Sequence, residues 1–325
     1  MTTLVSLDEI RAAASRIAAI ARRTPVLDVS DLAGRPLVLK CEPQQPGGAF
    51  KIRGATNMLM RLPPDSLRRG VVTYSSGNHG QAVALAASRL GAHAVIVMPT
   101  TAPAVKVAGV KRWGGEVIFE GTTSAHRLVR AQAEAAARGL TMVPPFDHEW
   151  IIEGQGTCGL EILDQVPDMD IVVVPVGGGG LVSGVSAAIR QARPAVGIVG
   201  VEPAGAAKMT ASLAAGHPVT LDRTASIADG LMPVRPGDLT FAHVRAFVDR
   251  MVTVDDAAIA RAALWLFAEP KQVVEPSGAA TVAAVLWPSD DSPLADKSKK
   301  VVAILSGGNV APETLASLQT ENGAG

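Results

Sequence analysis

Two hydrophobic rhythms alternate along the chain. Short unbroken apolar runs recur: "LVLKC" from Leu37, "VVTYS" from Val71, "AVIVM" from Ala94, "EVIFE" from Glu116, "IVVVP" from Ile171, "GIVGV" from Gly197 and "VVAIL" from Val301. Between them, stretches such as "GQAVALAASRLGA" and "TSAHRLVRAQAEAAARG" carry apolar residues at helical spacing. An apolar run without polar alternation suits a strand covered on both faces, whereas spacing by three and four gives a helix with one buried stripe. Their alternation predicts parallel sheets with helices on both faces. The N-terminus predicts an amphipathic helix: Ser6 and Glu9 stand at capping-box spacing, and Ile10, Ala14, Ile17 and Ala21 share a face until Pro25 ends it. Another helix is predicted from Ile52, with Ile52, Ala55, Leu59 and Leu62 in phase and Lys51 at its mouth. The strands between about Val71 and Val143 read as a smaller α/β lobe inserted into a larger one, and Pro288 to Lys300 as a polar surface loop.

Composition narrows the class. The 325 residues suffice for one large or two modest domains. With 48% hydrophobic residues, 18% charged residues and no net charge, the chain lacks the basic excess of a nucleic-acid or membrane-surface protein. Its two cysteines, Cys41 and Cys158, form no Cys-x-x-Cys pair and no signal peptide is evident, so a cytoplasmic protein is expected. No apolar run reaches the roughly 18 residues of a membrane span.

Three strand-to-helix turns carry candidate chemistry. In "VVVPVGGGGLVSG" an apolar strand ends in Gly177, Gly178, Gly179 and Gly180 and opens into a helix. Backbone amides without intervening Cβ atoms, at the positive end of a helix, make a phosphate cradle. A P-loop is excluded because no Gly-Lys-Ser/Thr follows. A dinucleotide fold is a weaker alternative: Glu202 ends the next strand, but Val182 stands where a third glycine belongs. In "TYSSGNHGQAVA", Ser75, Ser76, Asn78 and His79 gather hydroxyl, amide and imidazole groups at a helix start, which suits a carboxylate. In "VVAILSGGNV" a third strand empties into Ser306, Gly307, Gly308 and Asn309. Ligands of open α/β sheets bind at the carboxyl ends of the strands, so the three turns and Lys51 make one coherent site. No Gly-x-Ser-x-Gly elbow, His-x-x-x-His or Cys-x-x-Cys supports a hydrolase or zinc site. A lysine, a phosphate cradle, a carboxylate pocket and a hydroxyl are what pyridoxal phosphate chemistry on an amino acid needs.

The chain closely resembles the threonine dehydratase and serine racemase family of fold-type II pyridoxal phosphate enzymes. The resemblance runs in order through "RTPVL", "GGAFKIRGA", "SSGNHGQA", "PFDHEWIIEGQGTCGLEIL", "VGGGGLVSG", "VVEPSGA" and "SGGN". It implies the tryptophan synthase β-like α/β fold, two open, mostly parallel twisted sheets with helices on both faces. A large cofactor domain of residues 1–65 and 148–325 would flank a small one of residues 66–147. It implies pyridoxal 5'-phosphate held by Lys51 as an internal aldimine, with Phe50 against the ring and Asn78 at the phenolic oxygen. The phosphate would lie in Gly177 to Gly180, with Leu181 opening the helix, Ser306 at the pyridine nitrogen and Glu275 near the ring's far edge. Ser75, Ser76, Asn78 and His79 would surround the substrate carboxylate.

A neutral hydroxyl at the pyridine nitrogen does not force protonation there, which weakens the electron sink and favours β-elimination. The expected reaction is removal of the Cα proton by Lys51 and loss of the β-hydroxyl of L-threonine, or L-serine, to give a 2-oxo acid and ammonia. The alternatives are a serine racemase, in which Ser76 would reprotonate Cα from the other face, and a dehydratase for hydroxyaspartate or phenylserine. A non-enzymatic nucleotide-binding module is the remote alternative. Leu231 and Pro233, in "IADGLMPVRPGDLTF", are expected near the substrate. The chain departs from the family at Ala49, where serine is usual. It departs again in "VEPAGAAKM", where Lys208 stands at the acid that completes a divalent-cation site with Glu202 and Ala206 in metal-activated members. No metal is therefore expected. A homodimer or homotetramer is expected, and the short stretch after Asn309 suggests a catabolic enzyme without a regulatory domain.

Overall fold

A computed structural model of the chain describes residues 3–75 and 77–322. Its strands are β1 (Val26–Asp28), β2 (Leu37–Cys41), β3 (Val71–Tyr74), β4 (Ala94–Met98), β5 (Glu116–Phe119), β6 (Thr141–Met142), β7 (Ile171–Pro175), β8 (Gly197–Pro203), β9 (Arg250–Val254) and β10 (Val301–Leu305). They form a six-stranded sheet in the order β1-β2-β10-β7-β8-β9 and a four-stranded sheet in the order β5-β4-β3-β6. Every pairing is parallel except that of β1 with β2.

The seven apolar runs are β2, β3, β4, β5, β7, β8 and β10, all interior to their sheets except the edge strand β5. In the large sheet, side chains alternate between two buried layers as the strand period demands. Leu37, Leu39, Val173, Val201, Val301 and Leu305 meet the helices Asp256–Ala268 and Pro276–Leu286 on one face. Val38, Val172, Val174, Ile198, Val302 and Ile304 meet the helices Glu149–Gln165 and Gly180–Ala192 on the other. The small sheet is covered in the same way, by the helix Asn78–Arg89 on one face and the helix Ser124–Arg138 on the other. Among the described residues, no helix is long and apolar enough to cross a membrane.

The strands the hydrophobic pattern did not reveal are β1, β6 and β9. All three lie at sheet edges, where one side of the ladder is open and a continuous apolar run is not required. The first helix begins as expected, with Ser6 and Glu9 forming the capping box. It spans only Leu7–Ile17 and stops short of Pro25. Beyond it Gln45 takes both the N–H and the carbonyl of Arg22 into side-chain hydrogen bonds at 2.9 and 2.7 Å, which an α-helical backbone could not offer.

The helix Lys51–Arg61 joins the two halves. Ile52, Ala55, Met58 and Leu59 pack into the apolar layer beside the small sheet. Arg53, 1% exposed, turns the other way. Its guanidinium donates to both oxygens of Glu42 at 2.8 Å and to both oxygens of Glu161 at 2.6 and 2.8 Å. Lys40 donates to Glu161 at 2.6 Å from β2. Burial opposes ionisation of Glu42, but the Arg53 guanidinium overrides it and holds the carboxyl below its ordinary range. Removing one partner of such a buried set strands the others. Arg53→Ala is therefore expected to lower the unfolding free energy in urea by about 3–5 kcal/mol. Arg68→Ala, which removes an exposed pair with Asp65, should change it by no more than about 0.5 kcal/mol.

Candidate active site

The three glycine-rich turns and Lys51 converge between the two sheets. Lys51 is the first residue of its helix, and Phe50 before it donates its backbone N–H to the carbonyl of Ser306 at 3.1 Å. That bond, with the bridge between Ala49 and Gly307, lays the Lys51 turn across the end of β10. The Lys51 amine donates to the carbonyl of Pro145 at 2.8 Å and lies 5.1 Å from the centre of the Phe50 ring. Burial lowers its pKa to about 8, against the opposing charge of Glu275. A fraction of the amine is thus unprotonated near neutral pH, as a nucleophile or base requires.

Gly48, just upstream, has φ +75°, and a Cβ on it would collide with the side-chain carbonyl of Asn309. The close approach lets Asn309 donate to the carbonyl of Gly47 at 2.8 Å and to Oδ1 of Asn78 at 2.9 Å. Asn78 in turn donates to Oε1 of Glu275 at 2.5 Å. One polar chain therefore links the ends of β3 and β10 to the start of the helix Pro276–Leu286. Glu275 is 3% exposed. Burial and the neighbouring Asp229 raise its pKa to about 7, while Lys106, Asn78 and Lys51 pull it down.

The glycine loop lies between β7 and the helix Gly180–Ala192. Gly179 has φ +102°, and a Cβ on Gly178 would collide with the Phe146 ring. Thr240 holds the loop from behind, its hydroxyl donating to the carbonyl of Gly178 at 2.7 Å. Asp147 fixes Thr240's helix by accepting the backbone N–H groups of Asp238, Leu239 and Thr240 at 3.0–3.1 Å. A cradle with no room for side chains, at the positive end of a helix, fits a phosphate. The neighbouring lysine amine fits the aldehyde of pyridoxal phosphate. Leu181 is buried in the first turn of that helix, and Ser306 is 4% exposed at the end of β10.

Other residues singled out from the sequence stand as follows. Ser75 closes on itself, its hydroxyl accepting the N–H of Gly77 at 3.1 Å. His79 is 4% exposed, with Nε2 3.2 Å from the carbonyl of Val143. Burial, then the Lys51 charge, lowers its pKa to about 3 against the pull of that carbonyl, so the ring is neutral and brings no positive charge to an anion. Ser76 lies outside the described residues. Leu231, expected near the substrate, is 5% exposed and packs in the large-sheet core beside Gly177 of the glycine loop. The polar neighbours there are Asp229 and Lys106, an ion pair across the two halves of the fold.

Glu202 is committed in a way that leaves no ribose acceptor. It accepts from Met209 N at 2.8 Å, Thr210 N at 2.9 Å and Thr210 Oγ1 at 2.8 Å, and it lies 3.1 Å from the Lys208 amine. Glu202, Ala206 and Lys208 also do not fit a divalent ion, because that amine holds the Ala206 carbonyl at 3.1 Å. The sequence signal missed Pro145, Phe146 and Asp147, although "PFDHEW" was recognisable as a motif. They touch Lys51, the glycine loop and its bracing helix respectively.

Residues 17–307 match the family described as pyridoxal-phosphate dependent enzyme. The chain is 44% identical to a serine racemase of Oryza sativa subsp. indica over 94% of its length and 91% of the relative's. It is 41% identical to an L-threonine ammonia-lyase of Thermotoga maritima over 94% of its length and 76% of the relative's. The structure of maize serine racemase superposes with a TM-score of 0.92 at 41% identity, covering 99% of each chain. This chain belongs to the pyridoxal-phosphate dependent enzymes of fold-type II, among the serine racemases and threonine ammonia-lyases.

Proposed function

We propose that the chain deaminates a small β-hydroxy amino acid, L-threonine first and L-serine second: the β-hydroxyl leaves as water, and hydrolysis of the released enamine takes a water back to give a 2-oxo acid and ammonia. The observation that carries this reading is Ser306, a buried neutral hydroxyl at the end of β10 where the cofactor's pyridine nitrogen would lie. When bound, pyridoxal phosphate supplies the electron sink that acidifies the substrate's Cα–H. Lys51 would hold the cofactor between turnovers and, once displaced by the substrate's amine, take the Cα proton on Nζ. Its depressed pKa suits both tasks. Gly177 to Gly180 would hold the phosphate. Asn78, with Oδ1 occupied by Asn309, keeps an N–H direction fixed for the cofactor's ring oxygen. The substrate carboxylate would meet the backbone at the start of the helix Asn78–Arg89, since His79 is neutral.

A second reading, epimerisation of serine at Cα, is favoured by the likeness to the rice and maize serine racemases. Both reactions begin with Lys51 and part at the next step, where the hydroxyl leaves or a proton returns to Cα. The test is 2-oxo acid release from L-threonine, L-serine, threo-3-hydroxyaspartate and phenylserine, run beside D-serine formation from L-serine. Threonine turned over fastest with little D-serine is the expected result. D-serine formed faster than pyruvate would replace this reading with the second. Ser76→Ala is expected to cut D-serine formation while leaving 2-oxo acid release from L-threonine within a few-fold.

The Lys51 amine makes a separate prediction. Below its pKa of about 8 the ammonium dominates and must lose a proton before it can attack an aldehyde. Covalent uptake of pyridoxal phosphate by the apoprotein, followed by visible absorbance, should accelerate as pH rises, reach half its limiting rate near pH 8 and level off about one unit higher. A rate still climbing toward pH 10 would mean an unperturbed lysine. Lys51→Ala should bind the cofactor without that absorbance and release no 2-oxo acid.

A further inference from the structure

The Lys208 side chain is fully buried, and its amine lies among four oxygens from four segments. Three are carbonyls: Val176 at 2.8 Å, Ala206 at 3.1 Å and Leu231 at 2.9 Å. The fourth is Oε1 of Glu202 at 3.1 Å. Three carbonyl acceptors demand three N–H donors, which an ammonium has and a neutral amine lacks. A converging set of carbonyl and carboxylate oxygens is also the ligand set of a hard metal cation. The single charge of Glu202 balances it.

The connected segments bear on the site. Val176 immediately precedes the glycine loop. Leu231 ends the turn Asp229–Leu231, whose Gly230 N–H donates to Ser277 at 2.8 Å and whose Asp229 pairs with Lys106. Glu202 caps the helix Lys208–Ala215, so the ammonium and its counter-charge are fixed by the same element.

We propose that the Lys208 ammonium is a built-in cation, which ties the root of the glycine loop to the 229–231 turn as an exchangeable metal ion would. Lys208 is a positioning residue here and touches neither cofactor nor substrate. The inference is independent of which amino acid is turned over. It stands on family membership and on the disagreement between these residues and a divalent-ion site. The ammonium cannot dissociate, so the glycine loop is held without regard to chelators or to the ions in solution. Lys208→Ala vacates the space but leaves all four oxygens, and an ion from solution can then enter. Lys208→Met fills the space without charge, so no ion can.

The measurement is melting temperature and pyridoxal phosphate dissociation constant for wild type, Lys208→Ala and Lys208→Met. The buffer contains tetramethylammonium as its only cation, and potassium, ammonium or magnesium is then titrated in. Wild type should be indifferent to EDTA and to every added ion. Lys208→Ala should bind the cofactor about tenfold more weakly or worse, and recover saturably with at least one of the ions. Lys208→Met should lose affinity and not recover. A merely structural ion pair would give two variants equally deaf to added ions, which would overturn the proposal. So would a wild-type protein destabilised by EDTA, or Lys208→Ala matching wild type without ions. A Lys208→Ala chain that stays unfolded in every salt also counts against it, since the vacated ligands then take no ion.

Discussion

The Arg53 guanidinium, sealed between Glu42 and Glu161, determines where Lys51 stands. Two residues along an α-helix turn it by about 200°, so a helix anchored through Arg53 on one side presents Lys51 on the other. The anchoring carboxylates come from the end of β2 and from the helix Glu149–Gln165, both elements of the large sheet's surroundings. The apolar side of the same helix packs beside the small sheet. A flexible lysine thereby gains a defined origin with respect to both halves. The charge set that fixes it is largely buried, with only Glu161 partly exposed.

At the site itself polar contacts also join the two halves. Asn78 from the small sheet reaches Glu275 and Asn309 from the large one, and Lys106 reaches Asp229. These groups also tune each other. Asp229 helps raise Glu275, Lys106 and Lys51 oppose it, and the Lys51 charge adds to the burial that keeps His79 neutral. The titration of Glu275 therefore reports on the placement of its neighbours.

Much of this was legible in the sequence. The core strands announced themselves because a strand buried on both faces has no reason to alternate, and the Lys51 helix because its spacing was regular. The glycine loop, Asn78 and Ser306 were visible because strand ends in such sheets are where ligands bind. The edge strands β1, β6 and β9 were not visible, being short and mixed in polarity. Phe146, Asp147 and Thr240 escaped as parts of the site because they act on the glycine loop and on one another across about 30 to 90 residues of chain. The commitment of Glu202 to Lys208 needed coordinates, since a carboxylate at the end of a strand reads alike whether it binds a ribose, a metal or an ammonium.

The position of β10 has a consequence for synthesis on the ribosome. It is the last of the described strands in chain order, yet it lies between β2 and β7 at the centre of the large sheet. Until residues 301–305 emerge, β2 has no parallel neighbour and β7 has only β8. The same segment delivers Ser306 and Asn309 and receives the N–H of Phe50. A nascent chain can carry a complete small sheet and every glycine of the loop after β7 while having no assembled site. Closure of the large sheet and assembly of the candidate site therefore arrive in one event, and a product that stops short of β10 has neither.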